Sequence, residues 1–156
     1  MPNGPLVHIS IRGADVAIIN GQVYAAIISP PNATTWIASS ADDGTIRFTD
    51  QASGLVLSVP SLDAGTQAVV APAGAHLPVS SWTVTQYSDD SEDDPAPIKD
   101  ASELTSGYYS IQEPGSGELL FRNRIEDYSL MPKRVALQPS EMDQGPLVIQ
   151  VVGDGE

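Results

Sequence analysis

Gly107-Tyr-Tyr-Ser-Ile-Gln-Glu-Pro-Gly-Ser-Gly-Glu-Leu-Leu-Phe-Arg-Asn-Arg-Ile-Glu-Asp-Tyr-Ser-Leu-Met-Pro-Lys-Arg-Val135 is the stretch on which the reading of this chain turns. Tyr109 and Ile111 alternate with polar neighbours, a Pro-Gly-Ser-Gly turn follows, and Leu119 and Phe121 resume the alternation. That pattern predicts two strands joined by a tight hairpin. A loop from Arg122 to Pro132 then leads to a third alternating strand at Val135-Ala-Leu137. Arg122, Arg124, Lys133 and Arg134, four of the seven basic residues, sit in or beside that loop, in a chain of net charge −13. Glu126 and Asp127 offer a local answer to those charges, so a solvated loop is the plain alternative to a functional one.

The same grammar extends outward in both directions. Leu6 to Ile11 alternates as a strand; Val16 to Ile19 and Val23 to Ile28 flank Asn20-Gly21, the strongest short hairpin signal. Pro30-Pro31-Asn32 breaks the pattern, and Thr35 to Ser39 forms a fourth strand closed by Asp42-Asp43-Gly44. Thr45–Thr49, Leu55–Val59, Gln67–Ala71 and Ser81–Gln86 repeat the series. Tyr108–Gln112, Leu119–Arg122, Arg134–Gln138 and Leu147–Val151 repeat it again.

Spacing turns the series into a repeat. Trp36 and Trp82 lie 46 residues apart, and Trp82 and Leu147 lie 65 apart. Removing the 18 residues from Ser88 to Thr105 leaves 47. Trp36 precedes Gly44 by eight residues and Leu147 precedes Gly155 by eight, with Asp43 and Asp154 in matching places. Three copies of a four-strand unit without helical periodicity predict an all-β chain, a β-trefoil, as one domain over 1–156. The repeats are expected near 6–39, 45–87 and 107–152, with an acidic insertion at 88–105. A jelly roll or other sandwich shares this strand spacing, so closure into a barrel is a matter for the tertiary structure.

Composition narrows the function classes. At 156 residues, 41% hydrophobic and 17% charged, the chain has the length and apolar content of one globular domain. Its acidity repels phosphate backbones, so nucleic acid is an improbable partner, and no apolar run is long enough to cross a bilayer. The absence of cysteine excludes disulfides and thiolate metal sites, and the N-terminal Met-Pro-Asn-Gly-Pro lacks the regions of a signal peptide. A cytoplasmic monomer is expected, and the sequon Asn32-Ala-Thr34 is read as idle.

Catalysis has little to stand on. The chain holds two histidines, His8 in an alternating strand and His76 in a Gly/Pro loop, and no nucleophile elbow. No catalytic residue and no cofactor is assigned. Asp89, Asp90, Asp93 and Asp94, with Glu92 between them, could gather a hard cation such as Mg²⁺, as in diphosphate-handling terpene cyclases. They lie in a Ser/Pro-rich run where carboxylates repel one another and Pro95 and Pro97 oppose regular pairing, so a solvated, dispensable linker is the favoured reading. A sugar-binding trefoil of the ricin type would carry Gln-x-Trp in its repeats. Thr34-Thr35-Trp36, Ser80-Ser81-Trp82 and Pro146-Leu147 stand there instead.

Gly107 to Ile111, Phe121-Arg122 and Glu126-Asp127-Tyr-Ser129-Leu130-Met-Pro132-Lys133-Arg134-Val135 resemble the first repeat of the fungal β-trefoil serine-protease inhibitors of the cospin type. Gly13 to Ala25 with Pro30 to Ile37 is similar to that family's second repeat. Thr45 to Val56, Val69 to Pro72 and Trp82 to Val84 are similar to its third. The family's first repeat thus comes last, as in a circular permutant, with 88–105 bridging the old ends. Phe121 stands where the family prefers Gly, and Leu147 where it has Trp. The resemblance implies an inhibitor whose partner is a trypsin-like serine protease. It places the protease-binding loop at Arg122, Asn123, Arg124, Ile125, Glu126, Asp127, Leu130, Met131 and Pro132. An arginine in the protease's primary pocket would favour trypsin; Leu130 or Met131 would favour a chymotrypsin-like enzyme. A trefoil lectin or defence-type binding module is the alternative, with a metal-dependent cyclase using the Asp-rich segment behind it.

Overall fold

Alternation of apolar and polar residues builds strands because successive side chains on extended backbone point to opposite faces. The computed structural model describes residues 5–11, 14–19, 21–26, 35–40, 44–61, 66–72, 81–86, 97–98, 100–101, 104–113, 119–122, 133–138 and 147–153. The elements in these residues are thirteen strands, β1 (Leu6–Ile11), β2 (Ala14–Ile19), β3 (Gln22–Ala26), β4 (Trp36–Ser40), β5 (Ile46–Asp50), β6 (Val56–Ser58), β7 (Val69–Ala71), β8 (Thr83–Gln86), β9 (Pro97–Ile98), β10 (Gly107–Gln112), β11 (Leu119–Arg122), β12 (Lys133–Gln138) and β13 (Leu147–Gly153). All thirteen belong to one sheet.

Six of these strands close a ring. β1 pairs with β4, β4 with β5, β8 with β10, β10 with β13, and β13 returns to β1, every pair antiparallel. The remaining seam, β5 to β8, is the bridge Ile46↔Trp82, where each backbone N–H donates to the other's carbonyl at 2.7 and 2.8 Å. A closed ring leaves no unpaired edge among its members, which settles barrel against sandwich. The hairpins β2–β3, β6–β7 and β11–β12 stand outside the ring, each joined to it through the strand before it: β1–β2, β5–β6 and β10–β11. Ring and hairpins together make a β-trefoil.

The threefold repeat is exact in register where it matters. Val7 faces Trp36, Ile46 faces Trp82, and Tyr109 faces Leu147. Two residues on, Ala38 faces Phe48, Val84 faces Ile111, and Ile149 faces Ile9. All twelve are buried and form one apolar cluster. Leu147 therefore occupies the place held by tryptophan in the other two units. The two tryptophans differ in one respect. Trp82 Nε1 donates to the Leu57 carbonyl at 3.1 Å, whereas Trp36 Nε1 has no hydrogen-bond partner among the described residues.

The segment after β8 does more than link. Gly44 has φ of 82°, a left-handed turn that ends the extended chain before β5 and leaves it short at that end. In the other units the place opposite Ala38 and Ile149 is taken by Pro5, through Ala38 N–H to Pro5 O, and by Gly107. Opposite Val84 it is taken by Ile98 of β9. Ser40, at the end of β4, accepts from the Ala101 amide at 2.8 Å and donates to Asp100 at 3.3 Å. Ile98, Ala101 and Leu104 are buried in the main core. The expected dispensable linker is thus corrected for its second half: Pro97 and Ile98 pair with β8, Asp100 and Ala101 bond to the end of β4, and Ile98, Ala101 and Leu104 fill the wall that β5 leaves open. Pro97 is tolerated because the first residue of an edge strand need not donate.

Two predictions follow from this packing. Ile98→Ala should cost about 2–4 kcal/mol, the range for emptying a buried aliphatic site, and urea denaturation measures it. Trp82→Phe should cost more than Trp36→Phe by about 1–3 kcal/mol, because the former leaves the Leu57 carbonyl without the indole N–H in the core and the latter removes an N–H that has no partner among the described residues.

Candidate functional site

The three hairpins outside the ring meet one another. Val23 N–H donates to the Ala68 carbonyl at 3.0 Å, and Ala68 N–H donates to the Val135 carbonyl at 2.7 Å. The Val23 carbonyl accepts from the Gln67 side-chain amide at 3.1 Å. Val23, Ala68 and Val135 are all buried, so these main-chain bonds are shielded from water. β12 also pairs with β3, Lys133 opposite Ala25 and Arg134 opposite Tyr24. None of these contacts was foreseen from the chain, since each joins residues of different repeats.

Their consequence falls on the loop between β11 and β12. β11 and β12 pair from Leu119↔Gln138 to Arg122↔Val135. Arg122 is thus the last residue of its strand and Lys133 the first of the next, with 123–132 between them. Gln112↔Leu119 sets the hairpin before it, as the Pro-Gly-Ser-Gly turn predicts. Ile19↔Gln22 closes over Asn20 and Gly21 alone, whereas Ser58↔Val69 encloses 59–68, a connection as long as 123–132. Among the three hairpins, the third carries the most basic sequence.

Of the loop residues singled out in the sequence, the structure places Arg122. Asn123, Arg124, Ile125, Glu126, Asp127, Leu130, Met131 and Pro132 lie outside the described residues, as do Asp89, Asp90, Asp93, Asp94 and His76. The loop's two bases are described, and both are held. Arg122 is fixed by the ladder to β12, and Lys133 and Arg134 by the ladder to β3. Val135, one residue further, is locked into the contact with Ala68. Among the described residues no group of three or more His, Cys, Asp or Glu could hold a metal ion. His8 is half-buried, with its Nε2 2.9 Å from the Thr35 hydroxyl, a structural partnership.

Two other exposed features are less suited to binding in a cleft. The turn at 51–54 is tightly tied: Gly54 N–H donates to the Asp50 carbonyl at 2.8 Å, and the Asp50 carboxylate accepts from the Ala52 and Ser53 amides. A closed turn of that kind cannot lie extended in a cleft. Tyr108 is 59% exposed on the outer face of β10, opposite Val148, with no charged residue in that pair.

Comparison with known proteins agrees with the geometry in two steps. The architecture is that of β-trefoil proteins. A designed threefold-symmetric protein, ThreeFoil, superposes with a TM-score of 0.66 at 17% identity, covering 94% of this chain and 99% of its own. The Haemophilus ducreyi cytolethal distending toxin superposes with a TM-score of 0.64 at 12% identity, covering 97% and 85%. At such identities the likeness is one of fold alone. At the level of sequence, residues 102–156 match the family model described as Peptidase inhibitor I66. That stretch contains β10 to β13 and hence the whole third unit with its basic loop. A search of curated proteins found no match.

The amides of Val23 and Ala68 should exchange with solvent only on global unfolding, because both donate inside the buried contact between hairpins. Hydrogen exchange followed by NMR tests this. Fast exchange at Ala68 would mean that the loop base is not held.

Proposed function

We propose that this protein inhibits a trypsin-like serine protease by presenting the segment between β11 and β12 to the protease cleft. The observation that carries the reading is the match of residues 102–156 to a peptidase-inhibitor family model, over the unit that bears the basic loop. The mechanism needs little chemistry from the inhibitor. A loop held in substrate-like form before encounter loses little entropy on binding, so its contacts appear as affinity. The ladders at Arg122 and at Lys133–Arg134 support that requirement from both sides. Pro132 restricts the backbone where the loop returns to β12. An arginine entering a pocket with a carboxylate at its base gains a charge-assisted pairing, and Arg122 and Arg124 are the residues of that type.

The proposal includes a cyclic shift of repeat order relative to the inhibitors of the cospin type. Leu6 pairs with Gly153, so the start of the first strand and the end of the last lie together, and Gln86 pairs with Tyr109 across the junction between the second and third units. Either junction could hold the termini of a chain with the same ring, which supports the permuted reading. A cytoplasmic monomer acting without a cofactor completes it.

The test is an inhibition constant against a panel of serine proteases for Arg122→Ala, Arg124→Ala, Leu130→Ala and Met131→Ala, with melting temperature as the folding control. The residue in the primary pocket should cost about 2 kcal/mol or more, the scale of a central buried anchor. Arg12→Ala, in another unit, should leave inhibition unchanged. Full inhibition by all four loop variants, or no inhibition of any serine protease by the parent chain, would overturn the proposal.

A further inference from the structure

The charge of this chain is unevenly divided. From Leu119 to Gln138, across β11, its loop and β12, Arg122, Arg124, Lys133 and Arg134 stand against Glu126 and Asp127, leaving +2. With −13 for the whole chain, the remainder carries −15. The hairpin that holds the positive charge stands outside the ring, β11 beside β10 and β12 beside β3. The excess negative charge belongs to the rest of the chain, where Arg12, Arg47 and Lys99 are the remaining cations.

We propose that the protein's target is a cationic protease, one whose overall surface is basic while its primary pocket is acidic. The inference rests on the inhibitory reading of the β11–β12 loop and adds the character of the enzyme that meets it. Two charges of opposite sense then act at two ranges. A folded chain of this length has a radius of gyration of about 15 Å. At about 10 mM salt the screening length is about 30 Å, so an approaching protease senses the whole chain and its −13. A basic enzyme is drawn in and an acidic one repelled, whatever their pockets prefer. At contact the distances fall below the screening length, and the +2 hairpin faces the acidic pocket instead. The body selects by encounter rate, and the loop selects by fit.

An acidic target recognised through the basic hairpin alone is the competing occupant. It would be opposed at long range by an excess of charge several times that of the hairpin. The two differ in the sign of the salt dependence. The experiment uses the full chain and two trypsins of like specificity, one cationic and one anionic, with association rates followed by stopped flow from about 10 mM to about 1 M salt, where screening shortens from about 30 to about 3 Å. The association rate with the cationic enzyme should fall at least tenfold across that range. With the anionic enzyme it should rise. Asp89→Asn, Asp90→Asn, Asp93→Asn and Asp94→Asn combined, which bring the net charge from −13 to −9, should weaken both trends and leave the dissociation rates alone.

Inhibition of both enzymes with equal, salt-independent association rates would overturn the cationic-target proposal and leave the inhibitory reading standing. A faster rate with the anionic enzyme at low salt would overturn it in favour of the acidic partner. Inhibition of neither enzyme would remove both.

Discussion

Ring closure is the constraint on which everything else in this molecule depends, and at its narrowest it rests on two hydrogen bonds between the backbones of Ile46 and Trp82. The other seams each have further main-chain contacts to share the load. At β5–β8 the left-handed turn at Gly44 cuts the strand short, and Ile98, Ala101 and Leu104 complete the wall. The threefold scheme is thus kept by substitution: a residue from outside the second unit stands opposite Val84. The core needs that place filled, because an apolar ring with a gap would either admit water or lose dispersion contacts along its lining.

The hairpins outside the ring are constrained in turn by one another. Val23, Ala68 and Val135 come from three units and meet through buried main-chain bonds. That contact makes the third hairpin a rigid mount: its descending strand is held by the ring of hairpins and by β3 at once. A loop whose bases are fixed in this way can serve as a binding element without drawing on its own residues for stability. On the inhibitory proposal, function and folding fall to separate parts of the same unit, so loop chemistry can vary at little cost to the barrel.

Much of the fold was legible along the chain. The alternation in Leu6–Ile11 or Tyr108–Gln112 reflects a local rule, that neighbouring side chains on a strand point to opposite faces. The spacing of Trp36, Trp82 and Leu147 revealed the repeat because each unit uses the same position for the same large buried side chain. The loop from Arg122 to Pro132 stood out by charge alone. The segment 88–105 was read less well. Its carboxylates and prolines dominate any local reading, while Ile98, Ala101 and Leu104 lack a strand's alternation and take their meaning from a gap elsewhere in the molecule.

By itself the sequence determined the strands, their threefold repetition and the place where basic residues gather, because each follows from neighbours along the chain and from the period of their side chains. Only the tertiary structure decided that the strands close into a barrel, that Ile98 completes its wall, and that β3 and Ala68 brace the base of the basic loop. Those outcomes depend on contacts between residues distant in sequence, such as Val84 with Ile98, Ala68 with Val135 and Leu6 with Gly153. No local pattern encodes such pairings, since many partners could satisfy one strand's hydrogen bonds and only the packing of all the strands together selects among them.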